Sequence, residues 1–133
     1  MTHHFQTRVY YEDTDLAGIV YHANYLKFIE RARSEMVREA GISQTALKAD
    51  QGIVFAVRRM EMEFIAPARF EEDLRVETRL TGVKGASFDL EQVVFRGDDR
   101  LYVSNVQVVC LTDCGRAVRI PADIRQKLVT FQQ

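Results

Sequence analysis

The sequence predicts an α+β fold, a curved antiparallel sheet wrapped around one long central helix. Two observations carry that expectation. Only Ala23 to Ala40 has sustained helical periodicity: Tyr25, Phe28, Ile29, Ala32, Met36 and Ala40 recur at three- and four-residue spacings and share one face. After Gly52 the texture changes to long runs in which apolar and polar residues alternate, as in strands with one buried face. A sheet of that length must bury its apolar side, and this helix is the available cover.

The elements follow in order. Phe5 to Glu12, carrying Val9, Tyr10 and Tyr11, reads as a strand that ends in the turn-forming stretch Asp13-Thr14-Asp15-Leu16-Ala17-Gly18. Along the helix, Lys27, Arg31, Glu35, Arg38 and Glu39 fall largely off the apolar face, and Gly41 is a stop that accepts a left-handed backbone. Ile42 to Gln51 reads as a second short helix or a loop. Strands are expected at Ile53 to Ile65, closed by Ala66-Pro67-Ala68, and at Leu74 to Val83. Ala86 to Arg96 and Leu101 to Thr112 form a hairpin through Gly97-Asp98-Asp99. Asp113 to Arg116 is a turn, and Pro121 opens a terminal helix to about Thr130. Such a sheet leaves an edge strand that a symmetric partner could pair, so a homo-oligomer is expected.

Bulk properties narrow the function classes. The 133 residues suit a single domain over 1–133, and 47% hydrophobic residues supply a core without metal or disulfide support. A net charge of −1 argues against a nucleic-acid partner. No apolar run approaches the roughly 18 residues of a spanning helix, so no transmembrane segment is expected. His3 and His4 read as a frayed, solvated terminus rather than metal ligands. Cys110 and Cys114, about 13 Å apart if on one strand, are too distant to bridge and read as reduced thiols of a cytoplasmic protein.

Candidate chemistry concentrates between the first strand and the helix. Asp13 to Tyr25 packs two carboxylates, one histidine and two tyrosines into one connection. A helix start presents free N–H groups and a positive dipole end, which would polarise an acyl carbonyl. A nearby carboxylate could attack that carbonyl or deprotonate water. Apolar Leu16, Ala17, Ile19 and Val20 would line the approach. On spacing alone, however, Asp-x-Asp before glycine is also ordinary turn chemistry, and His22 could be structural.

The segment Tyr11-Glu12-Asp13-Thr14-Asp15-Leu16-Ala17-Gly18-Ile19-Val20-Tyr21-His22-Ala23-Asn24-Tyr25-Leu26-Lys27-Phe28 closely resembles the active-site signature of the 4-hydroxybenzoyl-CoA thioesterase family, of hotdog fold. Val9 to Asp15, Glu30-Arg31-Ala32-Arg33, and Phe64 ahead of Ala66-Pro67-Ala68-Arg69 resemble more narrowly the Tol-Pal-associated, YbgC-type acyl-CoA thioesterases. That resemblance implies hydrolysis of an acyl-CoA without metal or redox cofactor, in homodimers or homotetramers whose sites lie between subunits. It implies Asp15 as catalytic carboxylate, His22 as the polarising helix-start residue, and Tyr11 as a further site residue. Asp13 has no catalytic counterpart and reads as a turn residue or one that supports the site from behind. Arg58, Arg59, Arg69 and Lys84 are candidates for coenzyme A phosphates. The alternative is a non-catalytic hotdog module associated with the cell-envelope Tol-Pal system. A hotdog dehydratase would carry a His-Phe-Pro-Gly-type motif, which is missing here.

Overall fold

The computed structural model describes residues 1–132. Its five antiparallel strands are β1 (Thr2–Arg8), β2 (Ile53–Phe64), β3 (Asp73–Val83), β4 (Ser87–Arg96) and β5 (Asp99–Thr112). They form one sheet in the order β1-β3-β4-β5-β2. Helices α1 (Tyr25–Glu39), α2 (Gln44–Gln51) and α3 (Ala122–Val129) complete the domain. This is the hotdog arrangement of a sheet wrapped on one long helix. The long strands fall within two residues of their expected limits, and residues 42–51 resolve into α2. Gly52 closes α2 with φ +65, donating its N–H toward the carbonyls of Leu47 and Lys48, the left-handed cap that glycine adopts without strain.

The central helix is as the periodicity required. Phe28, Ile29, Ala32 and Met36 have no solvent exposure and lie against Val76, Leu80, Leu90, Val94 and Tyr102 from the sheet in one core. Each large side chain removed from water this way stabilises the fold by roughly 1.5–3 kcal/mol. Helix α1 begins two residues later than the apolar pattern, because His22–Asn24 form a separate 3-10 turn that leads into it.

The N-terminus corrects the sequence reading. Strand β1 runs Thr2–Arg8, not Phe5 to Glu12, and Tyr11–Asp13 form a 3-10 turn instead of a strand end. His3 and His4 are therefore paired strand residues opposite Thr78 and Glu77, not a frayed tail. His3 is buried, with Nε2 2.9 Å from Glu39 Oε2 at the end of α1. The misreading has a physical cause: Thr2-His3-His4 has no apolar alternation, and its strand character comes from β3 alongside. Cys110 is buried in β5 and Cys114 is exposed in the following turn, both as free thiols.

A polar row crosses the sheet under the helix. Thr78, Gln92 and Ser104 are neighbours on β3, β4 and β5, and all are fully buried. Gln92 Nε2 donates to the Ile29 carbonyl and to Thr78 Oγ1, both at 2.9 Å, while its Oε1 accepts from Arg33 Nη1 at 3.0 Å. The side chain thereby pins the middle of α1 to the middle of the sheet. Buried amides are retained only when so satisfied, and removing one strands its partners.

Gln92→Ala is expected to lower unfolding free energy by about 2–4 kcal/mol, from lost packing and unpaired buried groups, read from the denaturant midpoint. In native protein a thiol-reactive disulfide should modify one cysteine, Cys114. Burial pushes the Cys110 thiol up to about 11, so its reaction awaits unfolding.

Candidate active site

The connection between β1 and α1 is a miniature hairpin with its own fastening. Thr14 bridges Val20, and Asp15 N–H donates to the Ile19 carbonyl at 3.0 Å. Gly18 N–H closes the turn onto the Asp15 carbonyl at 3.0 Å, with Gly18 at φ +79, where an L side chain would be strained. Val20 N–H donates to the Ala68 carbonyl at 2.8 Å and Ile19 bridges Arg69, which stitch the hairpin to the segment after β2.

Asp13 is the clamp beneath this loop. Its buried carboxylate accepts the Tyr10 N–H at 2.8 Å. Its carbonyl accepts both the Tyr21 N–H and the Asn24 side-chain amide at 2.9 Å. Expected as a turn or supporting residue, Asp13 is both, tying the loop's entry, exit and helix start to one point. The residue is 4% exposed, and its carboxylate is turned inward to the backbone of the loop entry.

Asp15 sits differently. It is exposed at the hairpin tip, with Oδ1 accepting the Ala17 N–H at 2.9 Å. Its other carboxylate oxygen has no hydrogen-bond partner among the described residues. His22 opens the 3-10 turn ahead of α1, where N–H groups lack intrahelical acceptors. The loop thus joins a free carboxylate oxygen and a helix start through one rigid base, the Asp13 carbonyl. Tyr11 stands apart: it is 82% exposed and meets Phe70 edge-to-face at 6.3 Å, with no side-chain hydrogen bond to Asp15 or His22. Of the expected apolar lining, Val20 is buried, whereas Leu16 at the tip is fully exposed and Ala17 is exposed.

An aromatic group that the sequence reading did not assign to the site borders His22. Phe64, ending β2, meets His22 edge-on at 6.2 Å, Tyr25 at 5.7 Å and Tyr102 at 5.4 Å. Tyr25 and Tyr102 stack at 5.0 Å, and Tyr25 Oη accepts the Ala68 N–H at 3.0 Å. Burial raises the pKa of both tyrosines, so they stay neutral. The available signal was the alternation of β2, which put Met60, Met62 and Phe64 on one face.

The candidate phosphate contacts scatter. Arg59 pairs with Glu61 at 3.1 Å and Lys84 with Asp89 at 3.7 Å, while Arg58 and Arg69 are exposed. No group of three or more His, Cys, Asp or Glu side chains that could hold a metal ion occurs among the described residues. No described helix is long and apolar enough to cross a membrane.

Comparison with known proteins agrees with this architecture. The model of the thioesterase-like superfamily matches residues 9–128, and the chain belongs to that family of thioester hydrolases. It is 45% identical over 105 residues to the acyl-CoA thioester hydrolase YbgC of Escherichia coli, covering 78% of each chain. It is 39% identical over 123 residues to the acyl-CoA thioesterase YbgC of Haemophilus influenzae, covering 91% of this chain and 90% of that one. A crystal structure of a probable thioesterase from Bartonella henselae superposes with a TM-score of 0.86 at 39% identity, over 91% of this chain and all of that one.

Tyr25→Phe would leave the buried Ala68 N–H without its acceptor, at a cost of about 1–3 kcal/mol. Thermal or denaturant unfolding should show that loss.

Proposed function

We propose that the protein hydrolyses an acyl-CoA thioester to the free acid and coenzyme A, with Asp15 as the catalytic carboxylate. The observation that carries this reading is the contrast between two neighbouring aspartates. Each carboxylate accepts one backbone N–H, but Asp13 is buried beneath the loop, while Asp15 is exposed at its tip and open to a substrate. The relatives named YbgC supply the substrate class.

The thioester carbonyl rests on the N–H groups at the His22 helix start, whose positive dipole end offsets the charge developing on oxygen. Asp15 then acts by one of two routes. It takes a proton from water as that water attacks the carbonyl, or it attacks directly and gives a mixed anhydride that water opens. Both release the acid and the thiol with the same atom balance. His22 contributes its ring beside the reacting group, and Tyr11, exposed at the loop entry against Phe70, is the third residue of the site. No metal or redox group takes part in either route.

The working unit is a homodimer formed through β2. That strand is an edge, and its Val57, Met62 and Phe64 are 40–46% exposed, apolar surface that a second copy would cover. A two-fold normal to the sheet at the middle of β2 pairs its whole length and keeps both helices on the concave side. Two such dimers could join as a tetramer. The reading places the enzyme in the cytoplasm, where its substrate is made, with envelope or phospholipid-synthesis proteins as possible partners.

Thiol release from a panel of acyl-CoAs tests the function. Asp15→Asn should cut kcat/KM at least about a hundredfold, the scale of a lost catalytic group. His22→Ala should cost less, since the backbone N–H survives; an equal loss would assign the imidazole a direct role. Unchanged turnover in the Asp15 variant would remove that residue from the mechanism. Failure to cleave any thioester would favour the non-catalytic envelope-associated module. Solvent ¹⁸O entering the Asp15 carboxylate in a single turnover distinguishes the anhydride route.

A further inference from the structure

The segment 65–72, which joins β2 to β3, carries more attachments than a connection needs. The two sides of one residue brace the site. Ala68 accepts the Val20 N–H of the Asp15 hairpin at 2.8 Å, and its own N–H donates to Tyr25 Oη, at the start of α1, at 3.0 Å. The segment also holds the chain after β1. Val9 N–H donates to the Glu72 carbonyl and Glu71 N–H to the Val9 carbonyl, both at 2.9 Å. Glu71, at φ +71, is the one residue other than glycine with a positive φ among the described residues. A residue with a side chain keeps that conformation only where its surroundings impose it.

Two charged side chains impose it. Glu72 Oε1 accepts the Arg69 N–H at 2.6 Å, closing the turn on itself. Arg96, the last residue of β4, donates through Nη1 to both Glu72 carboxylate oxygens, at 3.0 and 3.1 Å, and to the Pro67 carbonyl at 3.2 Å. The guanidinium therefore anchors the turn to the sheet at both of its ends. These side chains are 34% and 26% exposed. The pairs Arg8–Asp73 and Arg59–Glu61 are more than half exposed, where water screens an ion pair to little effect. Both charges also reach the Tyr25 hydroxyl: burial chiefly raises its pKa, the Ala68 N–H and Arg96 pull it back, and Glu72 adds to the rise.

We infer that Glu72 and Arg96 are positioning residues for the thioester hydrolysis. Their ion pair fixes segment 67–69, and through Ala68 it fixes the place of the Asp15 carboxylate relative to the helix start. This rests on the thioesterase reading with Asp15 as the acting carboxylate. Both residues act through backbone rather than on the substrate. The leverage is large, because a displacement of about 1 Å in a reacting group can slow a reaction about a hundredfold.

Arg96→Met keeps the aliphatic length and removes the charge. With the best acyl-CoA of the panel, kcat should fall at least about tenfold while KM stays within about threefold, since a displaced carboxylate slows the chemical step without loosening the substrate. Arg96→Lys, which keeps a charge near Glu72, should recover at least about threefold of that loss. Added to Asp15→Asn, Arg96→Met should cost less than about twofold more, because the group it positions is gone. A full tenfold loss persisting in that background overturns the inference. Amide exchange reads the same linkage without turnover. In Arg96→Met the Asp15 and Val20 N–H groups should exchange at least about tenfold faster, while those of Leu90 and Val106 in the central strands keep their rates. Hairpin exchange left unchanged, exchange raised throughout the sheet, or unchanged kcat in the folded variant each overturns the inference. A parent enzyme that cleaves no acyl-CoA overturns the thioesterase reading first and this inference with it, a failure seen before any variant is made.

Discussion

One helix has to cover the concave side of a five-stranded sheet, and the other features described here answer to that constraint. The apolar stripe of α1 is fully used, leaving no slack for the helix to slide. Gln92 then sets its position along the sheet, by donating to the Ile29 carbonyl, a third of the way down the helix. Because the helix is fixed in place, its first turn is fixed too, and a loop delivered to that turn can hold a side chain at a defined place. Precision at the candidate site is thus inherited from packing at the centre.

The same constraint explains where the chain leaves material unfinished. Helix α1 covers the middle strands fully, but β2 lies at the margin, and its inward-facing residues remain partly exposed. A cavity of about 170 Å³ occurs at that margin, where helix and sheet diverge. An open edge, an apolar strip and a void bordering both are one consequence of covering a wide sheet with a single rod. The dimer proposed through β2 would cover all of them together.

Much of this was legible in the residues. Helix α1 and strands β2 to β5 announce themselves by period, because each buries one face and meets water on the other. The site loop was legible as a concentration of polar groups, and the family signature pointed to Asp15 and His22. Other features were hidden because they depend on neighbours distant in sequence. His3 belongs to a strand only by virtue of β3. Phe64 borders His22 only after forty residues of intervening chain return it there. Gln92 did leave a trace, as a polar residue in phase with Phe88, Leu90 and Val94, a break in alternation whose meaning needed the Ile29 carbonyl above it. The cavity, assembled from α1, β2, β4 and β5, leaves no local trace at all.

Asp13 carries a consequence for anyone mapping this enzyme by substitution. Two carboxylates separated by one residue answer to unlike requirements: one is buried and supplies geometry, while the other is exposed and is the one proposed for reactivity. Both positions would register as intolerant in a survey scored by function alone, and a reader of that survey would infer a catalytic pair. On the mechanism proposed, the pair is a hinge pin and a tool, and the loop could evolve neither one without the other.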